Sequence, residues 1–235
     1  MRVHVDSLGG RARVTDSFSH VASLDELSEI AATCSECVLC ETRTNVVFSS
    51  GSDDADVMVV GEGPGQQEDE QGVPFVGRSG QLLTKLLAEA GFERDDVYIA
   101  NVVKCRPPRN RDPKQEEIDA CKPYLRRQIE LVDPTVVVTL GNFSSKLLLG
   151  TTTGITRLRG QSYEWWGRYL VPTFHPAAAL RGGERVANDI RSDVAIVRQL
   201  IDGKIPTDSE PEAQITGAPD TATEEQLGLF GAVHP

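Results

Sequence analysis

The chain has 235 residues, of which 39% are hydrophobic, and its formal net charge at pH 7 is -11. This size and composition suit one α/β domain, or at most two small ones. The chain lacks both a long apolar run that would span a membrane and the apolar stretch of a secretory signal, so we expect a cytoplasmic protein. The acidic balance counts against a nucleic-acid-binding protein, although basic residues gather at 104–114 and favour a local positive surface.

Apolar patterns predict strands and helices that alternate along the chain. Residues 1–23 show no sustained period and are predicted to be an irregular extension, and Ser23 can cap a helix over 24–32. Short apolar runs predict four strands, at 56–60, 97–101, 135–140 and 169–173. Apolar residues at helical spacing predict helices at 79–90, 114–131, 142–149 and 185–201. The domain is thus predicted to cover 24–204, followed by a disordered acidic tail over 205–235.

This alternation of strand and helix predicts an α/β fold, with a mostly parallel four-stranded sheet between two layers of helices. In such a sheet the functional site lies beyond the carboxyl ends of the strands. A glycine-rich turn at 61–65 follows the first predicted strand, Asn101 closes the second, and His175 comes soon after the fourth. We therefore expect these three features to share one site.

Five cysteines are present, and an odd number in a chain without a secretory signal argues against a disulfide framework. Cys34 and Cys37 form one close pair, and Cys105 and Cys121 form a second pair. Four thiolates in two pairs suit zinc or a [4Fe–4S] cluster, and spacing alone does not separate the two. The simpler alternative is that the cysteines are small buried hydrophobic residues. Cys40 makes another C-x2-C with Cys37, so the pattern leaves open which residues of the first group bind.

Several segments, read in chain order, resemble successive motifs of the family 4 uracil-DNA glycosylases, which are repair enzymes that remove uracil from DNA. These segments are VVGEGPGQQEDEQGVPFVGRSGQLL, DVYIANVVKCRPPRNRDP, VTLGNF, ITRLRGQSYE and PTFHPAAALR. The resemblance implies the three-layer α/β/α sandwich of that family. It also implies a structural [4Fe–4S] cluster held by Cys34, Cys37, Cys105 and Cys121, with Cys40 as a spare.

Three residues are predicted to contact the flipped base. The amide of Asn101 offers one acceptor and one donor, which match N3–H and O4 of uracil and mismatch cytosine; alone, it is equally compatible with a turn. His175 is predicted to donate to uracil O2 as negative charge develops there. Phe75 is predicted to stack on the base, although core packing is the commoner fate of a phenylalanine. The resemblance favours the functional role in each case.

The glycine-rich turn supplies further candidates. Gly61, Glu62 and Gly63 are expected to approach the base and sugar closely, although such a loop is also typical of phosphate binding. Glu62 is our candidate for orienting water or stabilising the cationic sugar, and the resemblance adds Asn110 as a second candidate. Relatives in the superfamily have an Asp in place of Gly63 and a Tyr in place of Gly65 that blocks the thymine methyl. We expect Glu68 to fill the latter space.

Two further segments are predicted to contact partners. The resemblance implies that the loop after His175 enters the duplex, with Leu180 as a wedge and Arg181 near a phosphate. The tail motif at Gln226, Leu227, Leu229 and Phe230 resembles the short peptides by which repair enzymes bind sliding clamps.

Two other functions use the same residues differently. An iron–sulfur electron carrier would need the cysteines but not Asn101 or His175. A uracil-DNA-binding protein without catalysis would use the whole pocket and release no abasic product.

Overall fold

The computed structural model describes residues 18–204 of the chain. Within them, five strands form one sheet in the order β2-β1-β3-β5-β4. The strands are β1 (Val57–Gly61), β2 (Tyr98–Asn101), β3 (Val136–Leu140), β4 (Tyr163–Trp165) and β5 (Arg168–Thr173). All neighbouring pairs are parallel except β4 and β5.

The expected strand count of four was one too low, because β4 has only three residues. It pairs with β5 through the two-residue turn Trp166–Gly167, in which both residues have positive φ angles of 55° and 70°. Such a turn joins antiparallel neighbours tightly. A three-residue edge strand carries too little alternation to be recognised from its own sequence.

Eight α-helices flank this sheet in the described part of the chain. They are α1 (Leu24–Ala32), α2 (Gln66–Gln71), α3 (Arg78–Glu89), α4 (Gln115–Val132), α5 (Gly141–Leu149), α6 (Ile155–Leu158), α7 (Pro176–Gly182) and α8 (Glu184–Ile201). Short 3-10 turns lie at Val38–Glu41, Arg94–Asp96 and Pro108–Asn110. The five long helices match the predicted ones within one or two residues, whereas α2, α6 and α7 were not predicted because each spans only one or two turns.

The two faces of the sheet bury separate hydrophobic clusters. Met58 and Val60 of β1 face a cluster built with α1 and α4. Val57 and Val59 of the same strand face a second cluster built with α3 and α8. This alternation follows from the two-residue period of a strand. The expected three-layer α/β/α sandwich with a mostly parallel sheet is therefore confirmed.

The packed body begins before α1. The ring of Phe18 lies 4.5 Å from that of Tyr124, and the carbonyl of Val21 accepts two hydrogen bonds from the Arg127 guanidinium. Residues 18–23 of the expected extension are therefore held against α4. Residues 1–17, the tail 205–235 and the clamp motif Gln226–Phe230 lie outside the described residues. No helix in the described part is long and apolar enough to cross a membrane.

Candidate active site

The carboxyl ends of four parallel strands open onto one cleft. Its wall includes Glu62 after β1, Asn101 at the end of β2, Gly141 after β3 and His175 after β5. The cleft has a volume of about 750 Å³, which is enough for a nucleotide. The structure thus brings together the three features that the sequence placed at strand ends.

Gly61 is the point at which the base-contacting residues converge. A Cβ atom on Gly61 would lie 2.4 Å from Asn101 Oδ1 and 2.6 Å from Phe75 Cζ, so a larger residue would push both groups away. Phe75 is buried and has a φ of 54°, which is uncommon for an aromatic residue. Its strained backbone turns the ring into the cleft, where the ring centroid lies 5.8 Å from that of His175.

Asn101 carries a buried acceptor that no group in the described part of the chain satisfies. The residue is 2% exposed, and Oδ1 has no hydrogen-bond partner there. Leaving such an atom unpaired costs about 1–3 kcal/mol. The neighbouring backbone is held firmly, because Val102 donates to the Gly61 carbonyl at 3.0 Å. This arrangement suits a ligand that presents an N–H donor.

His175 is set up as a neutral hydrogen-bond donor. Its Nδ1 accepts from the Ala177 amide at 3.1 Å, which places the ring proton on Nε2. Burial, and secondarily the charge of Arg181, lowers the pKa of His175 to about 4. At neutral pH the imidazole is therefore uncharged and donates through Nε2.

Glu62 lines the same cleft and titrates near neutrality. Burial, and secondarily the nearby charge of Asp112, raises the pKa of Glu62 to about 7. A carboxyl group with such a pKa can accept a proton from water at physiological pH. Gly63 next to it leaves room for Val103, whose Cγ2 would lie 2.7 Å from an added Cβ.

The Glu68 carboxylate occupies the space beside Gly65. Its Oε2 would lie 2.7 Å from a Cβ atom placed on Gly65. The other oxygen accepts hydrogen bonds from the amides of Val76 at 3.0 Å and Gly77 at 2.8 Å. Glu68 therefore both fills the place of a side chain at Gly65 and braces the loop that carries Phe75.

Asn110 lies at the exposed rim of this cleft. Its φ is 54°, and its Oδ1 accepts from Arg106 Nε at 2.7 Å. The basic segment around it is less available than its sequence indicates. Arg111 forms a two-pronged ion pair with the buried carboxylate of Glu117, and Lys104 is only 2% exposed.

Leu180 and Arg181 lie on α7, a short helix that begins directly after His175. Leu180 is 44% exposed, which is unusual for a leucine beside a cleft, and Arg181 lines the cleft. Lys146 of α5 also lines it, and the sequence reasoning missed this residue. The signal was available, since Lys146 follows the strand-end segment VTLGNF by one helical turn.

A second, small cavity is lined by all five cysteines. Arg43 joins two of their segments, because its Nη1 donates to the Cys34 carbonyl at 2.7 Å and lies 3.5 Å from Cys105 Sγ. Among the described residues, no group of three or more His, Cys, Asp or Glu side chains is arranged to hold a single metal ion.

Fold and site together define an α/β protein with a polar cleft at the carboxyl end of its parallel strands. A family model described as the uracil DNA glycosylase superfamily matches residues 48–195, and the chain belongs to this superfamily. The resemblance to the family 4 enzymes is confirmed by its relatives. A type-4 uracil-DNA glycosylase from Sulfurisphaera tokodaii is 48% identical, over 67% of this chain and 76% of the relative.

Two further relatives are also type-4 uracil-DNA glycosylases. The type-4 enzyme of Thermotoga maritima is 48% identical, over 67% of this chain and 83% of its own length. That of Archaeoglobus fulgidus is 42% identical, over 79% of this chain and 96% of its own length. The similarity therefore spans nearly the whole of the latter relative.

Proposed function

We propose that this protein is a uracil-DNA glycosylase, which hydrolyses the N-glycosidic bond of uracil in DNA and leaves an abasic site. One observation carries the proposal: the unpaired acceptor of Asn101 and the Nε2–H donor of His175 line one cleft. The similarity to three type-4 uracil-DNA glycosylases supports the same activity.

Recognition of the base depends on Asn101. With uracil flipped into the cleft, Oδ1 accepts from N3–H and the amide nitrogen donates to O4. Cytosine presents an acceptor at N3 and a donor at C4, so both contacts would become unpaired or repulsive. Each buried polar group left unpaired disfavours cytosine by about 1–3 kcal/mol. Phe75 stacks on the face of the base, and the Glu68 carboxylate occupies the space that a thymine methyl group would need.

Bond cleavage depends on His175. The electron pair of the bond between C1′ and N1 leaves with uracil, and the resulting negative charge spreads to O2. The Nε2–H of His175 donates to O2 and stabilises this anion by about 3–4 kcal/mol. A neutral imidazole suits this role, because it stays a donor throughout and gives up no proton.

Completion of the reaction depends on Glu62. The sugar left behind is an electron-poor oxocarbenium ion, which the Glu62 carboxylate stabilises. Water then forms a bond from its oxygen to C1′ and transfers a proton to the carboxylate. Asn110, at the rim of the same cleft, is the second candidate for holding this water.

DNA contacts surround the cleft. Leu180 is exposed and fills the gap left in the duplex by the flipped nucleotide. Arg181 and Lys146 line the cleft and supply positive charge for the backbone phosphates. These groups act at short range, which suits a protein whose net charge is negative.

We further propose that Cys34, Cys37, Cys105 and Cys121 hold a [4Fe–4S] cluster. Four thiol donors that line one cavity, together with the resemblance to the family 4 enzymes, support this choice. Burial raises the pKa of Cys121 to about 12, so a cationic centre is needed to keep it a thiolate. When bound, the cluster supplies iron–sulfur bonds that crosslink separate segments, and the hydrolysis itself needs no electron transfer. Cys40 lines the same cavity as a spare thiol.

A gel assay on a uracil-containing oligonucleotide, followed by alkali, tests the activity. We expect strand breaks at uracil and none in the matched cytosine oligonucleotide. Binding to uracil-DNA without breaks would instead support a non-catalytic binding protein. A reversible redox couple without breaks would support an electron carrier. Visible absorption near about 400 nm in the purified protein would separate iron–sulfur from zinc.

A further inference from the structure

Lys104 is a buried lysine that the reaction described above does not use. It is 2% exposed, although lysine is almost never fully buried without a partner. Its Nζ donates to the backbone carbonyl of Asn101 at 2.7 Å and to Oε1 of Gln128. The side chain therefore folds back onto the strand end that carries the base-reading amide.

Gln128 extends this contact into a buried network. Its Nε2 donates to the Phe48 carbonyl at 3.1 Å and to the Tyr98 hydroxyl at 2.9 Å. Tyr98 begins β2 and Asn101 ends it, so the network holds both ends of one strand against α4. Buried networks of this kind restrict side chains to one arrangement.

The same lysine also reaches the cysteines. Lys104 lines the cysteine cavity together with Cys105 and Cys121. It directly precedes Cys105 in the chain, so its backbone belongs to the cysteine site while its side chain reaches the Asn101 carbonyl.

From this juxtaposition we propose that Lys104 is a positioning residue that couples the four-cysteine site to the uracil-reading amide. Its side chain extends from the wall of the cysteine cavity to the Asn101 carbonyl, and this hydrogen bond fixes the end of β2 in the position that aims Oδ1 into the cleft. This inference rests on the proposed function. It explains why a hydrolase that transfers no electrons has its cysteine site directly behind its specificity strand.

Replacement of Lys104 by Met keeps the length of the side chain but removes the donors and the charge. We expect the inhibition constant of free uracil to rise about tenfold, because Asn101 loses its support. The dissociation constant for abasic duplex DNA should change by less than about twofold, since phosphate contacts dominate that affinity. A general loss of structure would weaken the binding of free uracil and of abasic duplex DNA alike.

Lys122→Met is the matched control, because Lys122 also adjoins a cysteine of the site but pairs with Asp119 at the surface, at 2.9 Å. Lys122→Met should have the same inhibition constant for uracil and the same dissociation constant for abasic DNA as the unchanged protein. Absorbance near about 400 nm per chain monitors the cluster. Unchanged uracil inhibition in Lys104→Met with the cluster intact would overturn the inference, and so would an equal weakening of uracil and abasic DNA binding.

A second variant decides the matter if Lys104→Met loses its cluster. Gln128→Leu leaves Lys104 and all cysteines in place, and it removes the second acceptor of Nζ together with the hydrogen bonds to Phe48 and Tyr98. It should raise the uracil inhibition constant about threefold, and a value equal to that of the unchanged protein would refute the coupling. Absence of excision by the unchanged protein would refute the proposed function instead, so the two failures are distinguishable.

Discussion

Charge at single residues governs when this site can act. Burial keeps His175 neutral, with a pKa of about 4, and raises the pKa of Glu62 to about 7. At neutral pH, His175 is therefore an uncharged hydrogen-bond donor, whereas the carboxyl group of Glu62 is about half ionised. Environments that separate two titrating groups in this way are typical of catalytic pairs.

Glu62 should impose a pH dependence on excision. The carboxylate is the active form, so the single-turnover rate is expected to rise as pH increases through about 7 and then to level off. Glu62→Gln should slow excision at least about tenfold and remove this dependence. Single-turnover rates across a pH series provide the measurement.

Asp112→Asn provides the check on the cause. Removing its charge should lower the pKa of Glu62 and move the profile to lower pH, since Asp112 contributes to raising it. An unchanged rate in Glu62→Gln would remove Glu62 from the mechanism.

At the scale of elements, a buried ion pair holds the strand that leads to His175. The Asp193 carboxylate of α8 accepts from Arg159 Nε at 2.9 Å, Arg159 Nη2 at 2.8 Å and the hydroxyl of Thr173 at 2.6 Å. Thr173 ends β5, two residues before His175. This contact fixes α8, the segment after α6 and the end of β5 to one another.

Asp193→Ala should lower the free energy of unfolding by about 3–5 kcal/mol, because it leaves the Arg159 charge without its buried partner. Denaturant unfolding measures the change. Asp189→Ala is the matched control, since Asp189 pairs with the same arginine at 3.3 Å but its side chain is 33% exposed. Its loss should change the free energy by about 0–1 kcal/mol. Equal effects of the two variants would contradict this account.

Helix α7 should matter for duplex DNA in particular. Leu180 is exposed, so Leu180→Ala is expected to leave the thermal midpoint unchanged. Excision from duplex DNA should fall about tenfold, and excision from single strands much less, because only a duplex leaves a gap to fill. Matched oligonucleotides in both forms give the measurement. Equal losses on both would count against the wedge.

At the scale of the whole molecule, the tail adds a prediction that is independent of the site. Leu229→Ala combined with Phe230→Ala should abolish capture by a sliding clamp in a pull-down and leave excision from free oligonucleotides unchanged. Short peptide motifs with apolar anchor residues bind in this manner. Val233→Ala is the control and should be captured normally. Capture of the double variant would dispose of the clamp motif.

Much of the fold was predictable, because the periods that mark strands and long helices are local. The same holds for the position of the site, since parallel strands bring Asn101 and His175 to one edge wherever they lie in the sequence. Strand β4 was not predictable, because its three residues are ordered by pairing with β5 rather than by a pattern of their own.

The sequence by itself determined the α/β class, the strand-end site and the family motifs, since each depends on the order and spacing of residues. Only the tertiary structure decided which polar groups are available. It pairs Arg111 with Glu117, buries Lys104 behind Asn101 and, among residues 18–204, leaves Asn101 Oδ1 without a partner. Availability depends on neighbours from other elements, such as Gln128, 24 positions from Lys104, and their contact is a property of packing.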